Sequence, residues 1–145
     1  MRLAREAGIR VVPIPGPSAV VAVLSAAGIP GDRFAFEGFL PMRPGRRLAR
    51  LRALQALGRP IVVYESPHRV AATLRAIEEV FGPVEVVLAC ELTKRFEEFR
   101  RGTPAALLAG LPPGGLRGEV TLLVNPGAPP GADDDEGEPV ADAGD

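Results

Sequence analysis

The chain has 145 residues, 46% of them hydrophobic, with one cysteine, one histidine and a formal net charge of −1. That is enough for one domain with a real core; it excludes an internal disulfide and leaves too few soft ligands for a structural zinc site. The charge is unevenly placed, because seven of the 18 acids lie beyond Pro126 among no bases, and residues 1–125 carry 17 bases against 11 acids. A basic body with an acidic tail fits a polyanionic partner, or a soluble protein with a loose end. Sixteen of the bases are arginine in a chain rich in Ala, Gly and Pro, which points to coding bias as readily as to nucleic acid. No apolar run approaches membrane-spanning length and no signal-peptide pattern opens the chain, so a cytoplasmic protein is expected.

"MRLAREAGIR" reads as the last turns of an amphipathic helix closing at Gly8. A domain seldom begins inside a helix, so a preceding N-terminal domain is expected to be missing. Val11-Val12-Pro13-Ile14 is a β-branched run and predicts a short buried strand, with Pro13 tolerated near its end or edge. Pro15-Gly16-Pro17 stops it, and Ser18 stands as the N-cap of an Ala/Val/Leu helix ending near Ala27 before Gly28. Such a turn, with free backbone N–H groups at a helix start, suits an anionic or polar ligand, and is equally a plain capped connection.

"DRFAFEGFL" alternates and predicts a strand. "RPGRRLARLRALQALG" predicts a helix with Leu48, Leu51, Leu54 and Leu57 as an apolar stripe and arginines opposite. "PIVVYES" is a strand buried on both faces, and "PHRVAATLRAIEEVFG" a helix from Pro67 to Gly82. "VEVVLACEL" and "EEFRRG" follow as two strands with no room for a helix between them, hence antiparallel. "TPAALLAGL" is a helix capped by Thr103, and "GEVTLLVNP" the last strand. The expected fold class is therefore α/β, a mixed parallel and antiparallel sheet of about five strands flanked by helices. Residues 1–28 are expected to be the end of an N-terminal domain with an interdomain helix, 29–125 the C-terminal α/β domain, and 126–145 a disordered acidic tail.

Four stretches in register carry a resemblance: "VVPIPGPSAVVAVLSAAGIPGDRFAFEGFLP", "YESPHR", "CELTKRFEEF" with "RRGT", and "GEVTLLV". Together, over residues 1–125, they are similar to the C-terminal half of the tetrapyrrole methylase superfamily. Within it they most resemble the branch that methylates a cytidine ribose 2′-hydroxyl in small-subunit ribosomal RNA. The resemblance implies an S-adenosylmethionine-dependent methyltransferase whose cofactor lies in a cleft between two domains, with small-subunit rRNA or the ribosomal subunit as substrate and a homodimer as a further partner state. The precorrin-like branches, and a non-enzymatic fragment that binds RNA, are the alternatives.

The resemblance places Ser18 and Ala19 beside the methionine portion of the cofactor. It places Tyr64, Glu65, Glu91 and Leu92 at strand ends facing the cofactor, and the backbone of Glu119, Val120 and Thr121 on the adenine edge. A ribose hydroxyl is a poor nucleophile until it loses its proton, so a general base is useful, and Glu65, His68 and Glu91 are the candidates in this half. Each has an ordinary alternative: Glu91 as a salt-bridge partner of Lys94 or Arg95, Glu65 as a solvated strand-end carboxylate. Arg43, Arg46, Arg47, Arg50, His68, Arg69, Lys94 and Arg95 are candidate phosphate contacts, or a solvated basic face. No metal is required. Cys90, inside an apolar strand, reads as a small buried hydrophobe.

Overall fold

A computed structural model describes residues 1–127. The chain begins with α1 (Arg2–Glu6) and α2 (Ala19–Ala27), then β1 (Ala35–Phe39), α3 (Pro44–Gln55), β2 (Ile61–Glu65) and α4 (Val70–Phe81). They are followed by β3 (Glu85–Cys90), β4 (Glu98–Gly102), α5 (Pro104–Ala109) and β5 (Val120–Asn125). The acidic stretch expected to be disordered lies, from residue 128 onward, outside the described residues.

The strands form one sheet in the order β1-β2-β5-β3-β4. Only β1 and β2 are parallel; β5 runs antiparallel to both its neighbours, and β3 and β4 pair antiparallel as their short connection requires. Side chains alternate across the sheet. Ile61, Val63, Val86, Leu88, Leu122 and Val124 face α3, α4 and α5 and bury Leu51, Leu54, Leu74, Ile77 and Leu107. Val62, Val87, Ala89 and Leu123 face the other way, against Val20, Val23 and Ala27 of α2 and Ile29.

The helix ends follow local chemistry. Gly28 closes α2 in the left-handed conformation, φ 68°. Pro104 opens α5, and the Thr103 hydroxyl accepts the Ala106 N–H at 3.2 Å. Arg101 of β4 donates to the Ala26 and Ala27 carbonyls, tying the end of α2 to the sheet edge.

Four expectations need correction. Val11–Ile14 is not a strand and not buried: the segment is exposed, because a β-branched run becomes a strand only where a neighbour completes its hydrogen bonds, and no described strand lies beside it. The packed body does not begin at residue 29; α2 buries Val23 and Ala27 completely, so it belongs with the sheet. The fourth helix starts at Val70, since Pro67–Arg69 form a turn closed by the Arg69 N–H on the Ser66 carbonyl at 2.9 Å. Leu57 falls beyond the end of α3 and is exposed, leaving Leu51 and Leu54 as the buried stripe.

Candidate ligand cleft

The end of β2, the start of β5 and the first turn of α2 surround a cleft of about 480 Å³, walled by Ala19, Phe39, Tyr64, Pro67, Val120 and Thr121. A second hollow of about 460 Å³ shares Ala19 and Glu119 with it and runs past Ser18 to Leu92 and Lys94. Of the positions expected at a cofactor, Ser18, Ala19, Tyr64, Glu65, Leu92, Glu119, Val120 and Thr121 line these two adjoining hollows. Glu91 does not; it lines a third, of about 390 Å³, beyond Gly118.

The lining is chemically divided. At one end Ser18 sits at the N-cap with its hydroxyl making no capping bond, and the first helical bond is Ala22 N–H to Ser18 O, so the N–H groups of Ala19, Val20 and Val21 have no partner within the helix. At the other, the bulge between Phe36 and Gly38, with Gly38 at φ 72°, turns Phe36 and Phe39 to the same face as Tyr64. Their rings meet Tyr64 edge to face, with centroids 5.0 and 5.9 Å away. Donors at one end and an aromatic wall at the other suit a ligand with a carboxylate and a flat ring.

The backbone of Glu119 is already engaged with Glu91. The Glu119 N–H donates to Glu91 Oε1 at 2.7 Å and its carbonyl accepts from the Glu91 N–H at 2.9 Å. Val120 and Thr121 lie in the central strand, in register with β2 on one side and β3 on the other. Both form part of the cleft wall.

Glu65 is likewise not an available base. Its side chain is wholly buried; the Ser66 N–H donates to Oε1 at 2.8 Å, the Thr73 hydroxyl to Oε2 at 2.6 Å, and Arg69 Nε lies 3.4 Å from Oε1. This is a satisfied structural carboxylate, and the spacing 65, 69, 73 is what brings the three together across the turn into α4. Arg69 in turn donates to the Leu40 carbonyl at 2.9 Å and the Pro41 carbonyl at 3.3 Å. Arg47 is 6% exposed and holds the same loop through Pro41 O and Met42 O. Arg47 and Arg69 thus clamp the loop at 40–42.

The remaining cations divide again. Arg50 is held by two 2.6 Å bonds to Glu37, which raise its pKa and cancel its charge locally. Lys94 bridges Glu91 at 3.1 Å and Glu119 at 3.0 Å; those contacts raise its pKa, while the Glu119 N–H and Lys94 lower that of Glu91. Glu91 therefore stays ionised and engaged, a poor proton acceptor. Arg43, Arg46, His68 and Arg95 stand exposed. Burial pushes the Cys90 thiol up, with Glu98 adding to it, so it stays protonated, as its apolar strand led one to expect.

The sequence profile of the tetrapyrrole (corrin/porphyrin) methylases matches residues 1–132. The chain belongs to this family. Among curated methylases it is 47% identical over 134 residues to ribosomal RNA small subunit methyltransferase I of Mesorhizobium japonicum, and 46% identical over 127 residues to the Escherichia coli O157:H7 protein of the same name. Each match takes in 86% of this chain but 44% of the relative, so this methylase chain spans less than half the length of those proteins. Among solved methylase-fold structures, a diphthine synthase superposes with a TM-score of 0.63 at 14% identity, over 85% of this chain and 51% of that one. A uroporphyrin-III C-methyltransferase from Thermus thermophilus, complexed with S-adenosylhomocysteine, gives 0.52 at 14% identity, over 84% and 56%. These likenesses give the methylase fold of a five-stranded mixed sheet with flanking helices.

Phe39, Ser66, Pro67 and Gly118 line the methylase cleft and were not legible in the sequence as site residues. For Gly118 a signal exists in the structure alone: φ is +76°, and a Cβ there would run into the Glu91 carboxylate. No helix among the described residues is long and apolar enough to cross a membrane, and no group of metal ligands is found among them.

Proposed function

We propose that this chain supplies the C-terminal wall of the S-adenosylmethionine cleft in an enzyme that 2′-O-methylates a cytidine of small-subunit rRNA. The observation that carries it is the convergence of Ser18, Ala19, Tyr64, Leu92 and Thr121 on two adjoining hollows, in a chain 46–47% identical to proteins bearing the rRNA methyltransferase name. Identity to the cobalt-precorrin-4 and uroporphyrin-III methyltransferase neighbours is far lower, at 17% and 13%, which supports the rRNA reading over a tetrapyrrole substrate.

The cofactor supplies a sulfonium-activated methyl group. The residues of this chain bind and orient. Ser18 and the N–H groups opening α2 would hold the cofactor's carboxylate, and the Phe39–Tyr64 wall would shield its ring from water. Among the three candidate bases, Glu65 is buried and occupied and Glu91 is ion-paired. His68, exposed and next to Pro67 of the cleft wall, is the remaining acceptor on this side. Arg43 and Arg46 would meet phosphate on the rim, and a second domain, which residues 1–18 would adjoin, would close the cleft. An rRNA substrate implies the cytoplasm.

The test is a chimaera in which this chain replaces the corresponding part of the Mesorhizobium japonicum relative. With tritiated S-adenosylmethionine and undermethylated small subunits, label is expected in an alkali-resistant dinucleotide, because a 2′-O-methyl group blocks cleavage at that ribose. A folded chimaera that transfers no label to rRNA overturns the reading.

A further inference from the structure

The third hollow, about 390 Å³, lies outside the cleft and shares only Gly118 with it. That volume falls in the range of ~300–1,000 Å³ that small-ligand sites occupy. Its floor is apolar, with Cys90 and Leu116 buried. One wall is a fixed ion pair: Glu98 is gripped by Arg100 Nε at 2.7 Å and NH2 at 3.2 Å, and Arg100 is itself anchored on the Gly110 carbonyl at 2.9 Å. Arg117 stands exposed along the lining.

The rim holds the unusual feature. Phe96 is 74% exposed, with the Arg95 guanidinium 5.4 Å from its ring centroid. Burial would be the ordinary fate of such a ring, and the loop carrying it is not slack. Glu91 and Thr93 have φ values of 49° and 64°, costly for a non-glycine and especially for a β-branched residue. The conformation is braced by the Thr93 N–H on Glu97 Oε2 at 2.6 Å, by Lys94 N–H on Glu91 O at 3.0 Å, and by the Lys94 bridge to Glu91 and Glu119. A strained loop held by this many bonds presents a bare aromatic ring beside the hollow.

We propose that this hollow takes one base of single-stranded RNA, stacked on Phe96, with its amino-bearing edge on Glu98 and its flanking phosphates near Arg95 and Arg117. Stacking on an exposed aromatic beside arginines is how proteins hold splayed bases. Glu98 accepts and does not donate, since Arg100 keeps it ionised, so cytosine, adenine and guanine, which carry exocyclic amines, fit better than uracil. The shared Gly118 puts this base next to the cleft, so it is a neighbour of the methylated nucleotide and not that nucleotide itself. The proposal rests on the rRNA reading above.

The experiment is fluorescence anisotropy of the 145-residue chain with labelled oligoribocytidylate and oligouridylate at low salt. Phe96→Ala is expected to weaken binding about tenfold, equivalent to about 1.4 kcal/mol, and Phe96→Trp to retain it. Arg117→Glu should flatten the salt dependence by about one unit of slope, and Glu98→Gln should shrink the preference for oligoribocytidylate over oligouridylate. Circular dichroism checks that each variant is folded. No RNA binding by the parent chain, or equal affinity of parent and Phe96→Ala, overturns the proposal. The rRNA reading fails separately, when the parent chimaera methylates nothing.

Discussion

On one face of the sheet three helices seal Val63, Leu88 and Leu122 under Leu51, Leu74 and Ile77, all 1% exposed or less. On the other, a single helix covers Val62, Val87 and Leu123 and then stops, leaving Phe36 49% and Phe39 63% exposed beside Tyr64. The same strands supply both faces, so the difference lies in the helices that cover them and not in the strands' apolar content. One face is sealed; the other leaves aromatic surface open. Two polar networks differ in the same way. Glu65, Arg69 and Thr73 are locked at the α4 side, whereas Glu91, Lys94 and Glu119 remain open to water.

That comparison can be broken most forcefully on the sealed face. Leu74→Ala removes a fully buried side chain between α4 and the sheet and is expected to cost about 2–5 kcal/mol, read from urea unfolding. A loss below about 1 kcal/mol would show that this face is looser than its burial implies. Thr73→Val, which keeps the shape and deletes the hydroxyl that reaches Glu65, is expected to cost about 1–3 kcal/mol. The open cluster should respond chiefly to pH. Glu91 is held below its ordinary 4.5 in the fold by the Glu119 N–H and Lys94, so its contribution is present above that value and lost as pH falls through the depressed folded pKa. Glu91→Gln should therefore flatten the acid limb of the stability profile, and an unchanged limb would show that the cluster is decorative. Smallest of all, Phe39→Ser on the open face should change stability by no more than about 0.5 kcal/mol, while weakening cofactor binding in the chimaera, measured by calorimetric titration.

Much of the fold was legible because its signals are local. Pro104 with Thr103 marks the start of α5, Gly28 and Gly82 stop α2 and α4, and the tight connection between β3 and β4 forces an antiparallel pair. Val11–Ile14 failed because β propensity reports a preference, whereas strand formation needs a partner that the sequence does not name. Arg47 was misread among five arginines that look alike between positions 43 and 52. Its spacing to Leu51 and Leu54, four and seven residues on, already placed it on the buried stripe. Glu65 was misread for the opposite reason: a carboxylate at a strand end looks solvated until Thr73, two helical turns away, closes over it. Positions in the cleft such as Phe39 and Gly118 depend on a bulge and on a left-handed backbone, and neither leaves a regular spacing to read.

The strand order has a consequence for how the chain is made. β5, the last of the described strands in sequence, occupies the middle of the sheet, between β2 and β3. Until residues 120–125 leave the ribosome, the β1–β2 pair and the β3–β4 pair have no common partner, and each shows an unpaired apolar edge. The five-stranded sheet therefore cannot close until β5 has been made, and its pairings with β2 and β3 are non-local ones. During that interval the exposed edges of Val62–Val63 and Val87–Leu88 are where a chaperone would bind, or where two nascent chains would stick together.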